Sequence, residues 1–323
     1  SRAFFSAVIA DRRPMQADAR FDGLLGEGAI AASGGLLHAR GDGRQTLEFA
    51  ATRIVGGKTD PAAYYEMGAD MKLGRKDEPA ALAWMVANVA IPVDAVTVDA
   101  ASVVYTDEKG QRFRLPKGRA DFAATGPLGA ERTLREVCTE RDLLNCAGTF
   151  FEVPAENAGG IAKIRPVATH NRRIHDFASW HGLLVMSGVA ADAPGSNRHI
   201  IRSDDGRVAI WVGAVDDLWS LGKAVGEGGP WKDTAVAAGQ PSDPYLMTGY
   251  DHKKLTLSHR SPRGVRMRVE VDLTGTGRWV TNAVVDVPAG KAVDQSFPDG
   301  YQAYWVRVSA DADTTATAWL TYD

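Results

Sequence analysis

The side chains best suited to moving protons and gripping anions gather between positions 163 and 181. Lys163, Arg165, His170, Asn171, Arg172, Arg173, His175, Asp176 and His181 fall in that stretch, which holds three of the seven histidines. Guanidinium groups bind carboxylates in bidentate fashion, and imidazole exchanges protons near neutral pH. On a functional reading His170, His175 and His181 transfer protons while Arg165, Arg172 and Arg173 clamp an anionic substrate. On a bland one the arginines lie on a solvated edge, Asp176 pairs with one of them, and the histidines satisfy buried backbone groups. His170 and His175 are five residues apart, on opposite faces of any strand that holds both, so no metal site is expected.

A second constellation is Asp243, Tyr245, Tyr250, Asp251, His252 and Lys253. Tyr250 and His252 are its candidate acid and base, although the same residues also suit a wet hairpin turn. The glycine-rich segment 226–231 reads as a flexible loop that carries Trp231, with Trp219 shortly before it, and both indoles are candidates for stacking on sugar rings, with a place in the core as the alternative. Arg202 joins the arginines as a further substrate-binding candidate. Glu66, Asp70, Glu140 and Asp142 offer carboxylates for a glycosidase pair, but chain spacing does not show which of them face each other. No Gly-x-Ser-x-Gly or His-Glu-x-x-His motif occurs, and the glycines of 226–229 do not follow the phosphate-loop pattern. Serine hydrolysis, zinc proteolysis and nucleotide binding are therefore unsupported, and no cofactor is expected.

The elements that must carry these side chains read as short strands. Val265, Met267, Val269, Val271 and Leu273 alternate with Arg266, Arg268, Glu270 and Asp272, the mark of a strand with one buried face. Segments 279–287, 303–308 and 315–322 are rich in β-branched and aromatic residues, with turn chemistry at 288–290 and 298–300. Hairpin signals recur upstream: 102–105 and 112–115 around Asp107 to Gly110, 199–202 and 208–212 around Asp204-Asp205-Gly206, and 174–179 and 183–186 around His181-Gly182. One helix is expected near 78–89, with Asp77 as its cap, Pro79 in its first turn, and Leu82, Met85, Val86 and Val89 on its apolar face.

These signals predict an all-β chain with at least 40% strand and under 15% helix by residue. Strand density points to a β-propeller-like region of five to seven blades over 1–252, with the helix as an insertion, and alternation to an antiparallel, sandwich-like unit over 253–323. A multi-sheet β-sandwich is the alternative. The 37 basic and 40 acidic residues leave a formal charge of −3, too little field to gather nucleic acid or an anionic membrane. Cys138 and Cys146 are too few for a disulfide framework, though one bridge across a hairpin is open to them.

The wording of 135–154, then Arg165-Pro166-Val167-Ala168-Thr169-His170-Asn171, 201–206, 242–250 and 303–308, resembles secreted bacterial β-propeller proteins that accompany polysaccharide degradation. More distantly, the architecture resembles propeller ulvan lyases and rhamnosyl-glucuronate hydrolases. The resemblance implies a secreted or periplasmic protein that meets a glycan and acts as a lyase or glycoside hydrolase on a uronic-acid-containing substrate. The competing expectation is a non-catalytic glycan-binding or scaffold protein that uses its tryptophans and arginines as a recognition surface.

Overall fold

The structure is a computed structural model that describes residues 34–41, 46–55, 58–89, 96–118, 134–138, 141–170, 174–189, 199–221 and 223–323. Strands take up 55% of these residues and helices 9%, in five sheets.

The first sheet is an antiparallel meander of β1 (Gly34–Ala39), β2 (Leu47–Val55), β3 (Lys58–Met67) and β4 (Leu73–Lys76). Its alternation sends Leu37, Leu47, Phe49, Tyr65 and Met67 to one face and Glu48, Ala50, Tyr64 and Glu66 to the other. The helix α1 (Pro79–Asn88) lies across the second face, where Met85 and Val89 pack on Ala50 and Tyr64. Two details differ from expectation. Glu78 rather than Asp77 holds the cap position, without a side-chain bond, and Val86 points to solvent with Trp84. Only a narrow stripe of this helix, marked by Leu82, Met85 and Val89, meets the sheet, so apolar residues on its other faces remain outside.

Two further four-stranded sheets follow. One consists of β8 (Leu134–Cys138), β9 (Arg141–Cys146), β10 (Thr149–Pro154) and β11 (Arg165–Thr169), again a meander. The other consists of β12 (Phe177–Trp180), β13 (Leu183–Val189), β14 (Ile200–Arg202) and β15 (Ala209–Gly213), in the order β12-β13-β15-β14. One apolar cluster joins the β12–β15 sheet to the first sheet through Phe49, Tyr65, Val185 and Ile210, and another joins it to the β8–β11 sheet through Phe150, Phe177 and Trp211. The β12–β15 sheet is therefore the middle layer of three. Cys146 is a free, buried thiol, pushed up to about 12 by burial.

The remaining strands form two sheets that share one core. The smaller has the order β16-β23-β18-β21, from β16 (Gly226–Val236), β18 (Lys253–His259), β21 (Val293–Ser296) and β23 (Thr314–Tyr322). The larger runs β20-β19-β22-β17-β7-β6-β5, from β5 (Val96–Val98), β6 (Val103–Thr106), β7 (Arg112–Leu115), β17 (Tyr245–Leu246), β19 (Val265–Asp272), β20 (Trp279–Val287) and β22 (Trp305–Ala310).

The boundary expected at residue 253 falls inside this pair of sheets. β16 pairs with β23 along most of its length, and β22 is continued by β17 and, in parallel, by β7. Nor are residues 226–231 a loop. They begin β16, where a Cβ on Gly229 would stand 1.8 Å from the carbonyl oxygen of Ala318, so glycine permits the two backbones to meet. Five to seven blades were expected. Among the described residues three stacked four-stranded sheets are present beside the two-sheet unit, and a closed ring of blades is not shown.

Candidate functional site

The 163–181 stretch does not converge on one pocket. His170 is buried, with Nε2 2.8 Å from Asn145 Oδ1 and its ring 4.7 Å from that of Phe150. His175 is also buried, its Nδ1 3.0 Å from both the amide nitrogen and the carbonyl oxygen of Gly35. Asp176, with no exposed surface, accepts hydrogen bonds from the amides of Leu37 and Phe177, each at 2.8 Å. These two side chains lock β1 to the middle sheet, which is the bland role. His181 is exposed at a hairpin turn with φ 50°, its ring edge-on to Trp180. Arg165 lies on the surface, 3.3 Å from Glu152. Arg172 and Arg173, with Asn171, lie outside the described residues.

The second constellation is dispersed as well. Tyr250 is fully buried and stacks on Tyr322 at 4.4 Å between ring centroids, so as a core side chain it does not face a substrate. His252 points to solvent beside Asp299, and Asp243 pairs with Arg112 and Arg114. Trp231 is buried in the core of the two-sheet unit, and Trp219 packs, half-buried, beside Leu218 and Trp211. Arg202 ends β14, half-buried. Of the proposed carboxylates, Asp70 is exposed, Asp142 is half-buried, and Glu140 lies outside the described residues. Glu66 alone enters a cluster of reactive groups.

That cluster sits on the α1 side of the first sheet. The strand period places His38, Glu48 and Glu66 side by side across β1, β2 and β3, since His38 pairs with Glu48 and Glu48 with Glu66. Arg40 follows β1 and turns back over them. Glu48 is only 3% exposed and takes three donors. His38 Nδ1 lies 2.6 Å from Glu48 Oε2, Tyr64 donates its hydroxyl to Glu48 Oε1 at 2.6 Å, and the Arg40 guanidinium bonds the same oxygen. Tyr64 also reaches Glu66 Oε1 at 2.9 Å, and Arg40 reaches it at 3.3 Å. Because both carboxyl groups contact the one hydroxyl, those two oxygens lie no more than about 5.5 Å apart.

The electrostatics follow from these contacts. Burial pushes the Glu48 carboxyl up, but the bonds from Tyr64, His38 and Arg40 and the charge of Arg40 more than offset it and hold the group below its usual range. Burial, followed by the bonds to Glu48 and Glu66, pushes the Tyr64 phenol far up, so Tyr64 stays a donor. The cluster is open on one side, where the side chains of His38 and Glu66 are 34% and 21% exposed. Trp84 of α1 stands there with 48% of its surface free, its ring 5.3 Å from that of His38. His38 Nε2 makes no hydrogen bond to a described residue. With one imidazole nitrogen fixed by a buried carboxylate and the other facing the open side, the ring is set up to exchange a proton.

Sequence reasoning named Glu66 and missed His38, Arg40 and Glu48. The available signal was the alternation of 47–52, in which Glu48 shares a face with Ala50 and Thr52. Among the described residues no group of three or more His, Cys, Asp or Glu is placed to hold a metal ion, and no helix is long and apolar enough to cross a membrane.

No protein-family model and no curated sequence matches the chain. Among solved structures, a glycoside hydrolase aligns over 95% of this chain and 100% of its own, with 9% identity and a TM-score of 0.22. An exo-β-1,3-galactanase from Phanerochaete chrysosporium, solved with galactose, aligns over 91% and 96% with 10% identity and a TM-score of 0.19. A family 43 arabinoxylan arabinofuranohydrolase from Bacillus subtilis, in complex with cellotetraose, aligns over 93% and 69% with 12% identity and a TM-score of 0.19. These weak structural neighbours are glycoside hydrolases, and TM-scores of this size carry neither a fold nor an activity to this chain.

Proposed function

We propose that this chain is a carbohydrate-active enzyme that hydrolyses a glycosidic bond at the open side of the His38, Glu48 and Glu66 cluster. The observation that carries the reading is the buried, ionised Glu48 that fixes His38 beside a second carboxylate and an exposed tryptophan. Hydrolysis needs a proton for the leaving oxygen and a base for the attacking water. Solvent reaches Arg40, Glu66 and His38; Arg40 stays a cation, and the other two take these roles: Glu66 gives the proton, and His38, backed by Glu48, removes one from water. Glu48 is a positioning residue, too enclosed to touch a sugar. Trp84 offers its free face to the ring of the bound sugar.

With Glu66 protonated and His38 neutral, Glu48 and Arg40 offset each other and the centre carries no net charge. The one guanidinium is already engaged by both carboxyl groups, so no cation is left over to hold a uronate at this position. A neutral sugar unit is therefore the proposed occupant, within a glycan met in a secreted or periplasmic setting. The stacked four-stranded sheets are read as propeller-like blades that hold the site.

The test measures reducing-end release from a panel of neutral and uronate-containing oligosaccharides. The wild type should release reducing ends, and Glu66→Gln and His38→Ala should each lower kcat by about a hundredfold or more, the usual scale of one general acid or base, with folding retained. Products carrying a new double bond would instead assign elimination. No turnover on any panel member would overturn the enzyme reading in favour of a non-catalytic glycan-binding protein, a role that the full engagement of Glu48 also fits.

A further inference from the structure

A second surface of the molecule is built to hold a ligand of a different charge. The outward residues of β19 are Arg266, Arg268 and Glu270, and those of β22 beside them are Arg307 and Ser309. They line a groove of about 410 Å³ together with Val284 and Asp311. A second hollow of similar size adjoins it, shares Arg307, and is lined by Phe113, Trp279 and Trp305 with Gln111, Ser242 and Thr276.

Three arginines face Glu270, Asp311 and the adjoining Asp286, but they are not evenly paired, because Asp311 accepts from the Arg266 amide. Arg266 is paired by Asp286 at 3.2 Å, and Arg307 by Glu270 at 2.9 Å. Arg307 is further fixed over the Trp279 ring, 4.4 Å from its centroid. Arg268 stands between these two pairs. Its neighbours across the ladder are Val284 and Ser309, and its guanidinium makes no ion pair or hydrogen bond with a described residue. A fork of donors left open at the centre of a groove, with the neighbouring cations already neutralised, presents one site for one carboxylate or sulfate group.

The adjoining hollow has the opposite character. Phe113 and Trp305 are buried in its floor, so half-buried Trp279 is the ring left to meet a pyranose, beside the amide of Gln111 and the hydroxyls of Ser242 and Thr276 that can bond sugar hydroxyl groups. The three strands carrying the groove span about 10 Å, which suits adjacent sugar units and not a lone ion.

We infer that this groove binds an acidic oligosaccharide, with an anionic group of one sugar held by Arg268 and the ring of the next in the hollow lined by Trp279. The assignment does not rest on the hydrolytic reading of the first sheet, which uses other residues on another face.

Isothermal titration of the whole chain with oligogalacturonate, a sulfated oligosaccharide and an uncharged oligosaccharide of equal length tests it, and the first two arms separate carboxylate from sulfate as the anion. At least one acidic probe should bind, more weakly as salt rises, and Arg268→Ala should weaken it tenfold or more while the urea midpoint stays unchanged, because Arg268 is exposed and makes no described contact. Arg268→Lys should keep part of the affinity, as a point charge without the fork. The inference is overturned if neither acidic probe binds, if Arg268→Ala binds as the wild type does, or if the uncharged probe binds equally well. It is overturned too if monomeric galacturonate matches the oligosaccharide, which would reduce the groove to a plain anion site. Loss of turnover in His38→Ala with this binding intact separates failure of one reading from failure of the other.

Discussion

Replacing Glu48 by Gln keeps the shape of the side chain, removes its charge and turns one acceptor oxygen into an NH2 donor, which can face His38 Nδ1 in its acceptor tautomer while the remaining oxygen keeps Tyr64 and Arg40. Glu48 accepts from Tyr64, His38 and Arg40. A hydrogen bond to a charged group contributes about 1.5–3 kcal/mol and a neutral one about 0.5–1.5 kcal/mol, so neutralising the acceptor costs about 1 kcal/mol for each of three bonds. Solvent at the open side, where Arg40 and His38 are partly exposed, screens some of this, which leaves about 2 kcal/mol at pH 7.

The pH dependence gives the same prediction a second, independent handle. The folded protein holds the Glu48 carboxyl below its usual range, so the stability it contributes is present above that range and is lost as pH falls through the lowered folded value. The gap between wild type and Glu48→Gln should therefore be full at neutral pH and close in the acid range below about pH 4. Urea denaturation followed by tryptophan fluorescence measures the gap at each pH. A variant within about 0.5 kcal/mol of wild type at pH 7, or a gap that stays constant down to about pH 3, would refute the claim that an ionised Glu48 organises this cluster.

Two other predictions concern the frame around the sites. Asp176→Ala strands the buried amides of Leu37 and Phe177, at about 1–3 kcal/mol each, so urea denaturation should show a loss of about 3–5 kcal/mol in a residue with no catalytic role. Lys253 is buried, donates to the carbonyls of Tyr250 and Tyr301, and is pulled down to about 8 by that burial; stability should rise with pH from about 8 toward the ordinary lysine range, and Lys253→Met should abolish the rise.

What the sequence discloses about this molecule is local. The hairpins of β6 with β7 and of β14 with β15 are legible because Asp107 to Gly110 and Asp204 to Gly206 supply turn chemistry between strands that pair with each other. β19 is legible because its alternation matches a sheet with one covered face. The pairing of β16 with β23 joins residues 78 to 96 positions apart, and no turn between them announces it. The glycines of β16 misled for the same reason. They read as flexibility, when their use is a close backbone approach that exists only once Ala318 is in place. Composition drew attention to 163–181, yet His175 and Asp176 are absorbed in bonds to Gly35 and Leu37, about 140 residues away.

The reactive cluster was hidden by the reverse effect. His38, Glu48 and Glu66 occupy alternate positions whose partners face the core, which is the pattern of a solvated strand face. Two features change that meaning. The strands pair so that all three fall in one row, and α1 closes the rest of the face, so water reaches the row from one side only. A carboxylate that would be an ordinary surface group on an open sheet is thereby enclosed, and enclosure is tolerated because three donors, two from the end of β1 and one from β3, converge on it. Removing the helix contact should therefore change the chemistry without touching a reactive residue. Met85 is the one helix residue fully buried on Ala50 and Tyr64, and its truncation would loosen Tyr64, the side chain that both carboxylates share. The cluster is in this sense a property of the packing of α1 on the sheet, and the helix is the element that converts a charged strand face into an enclosed set of acidic and basic side chains.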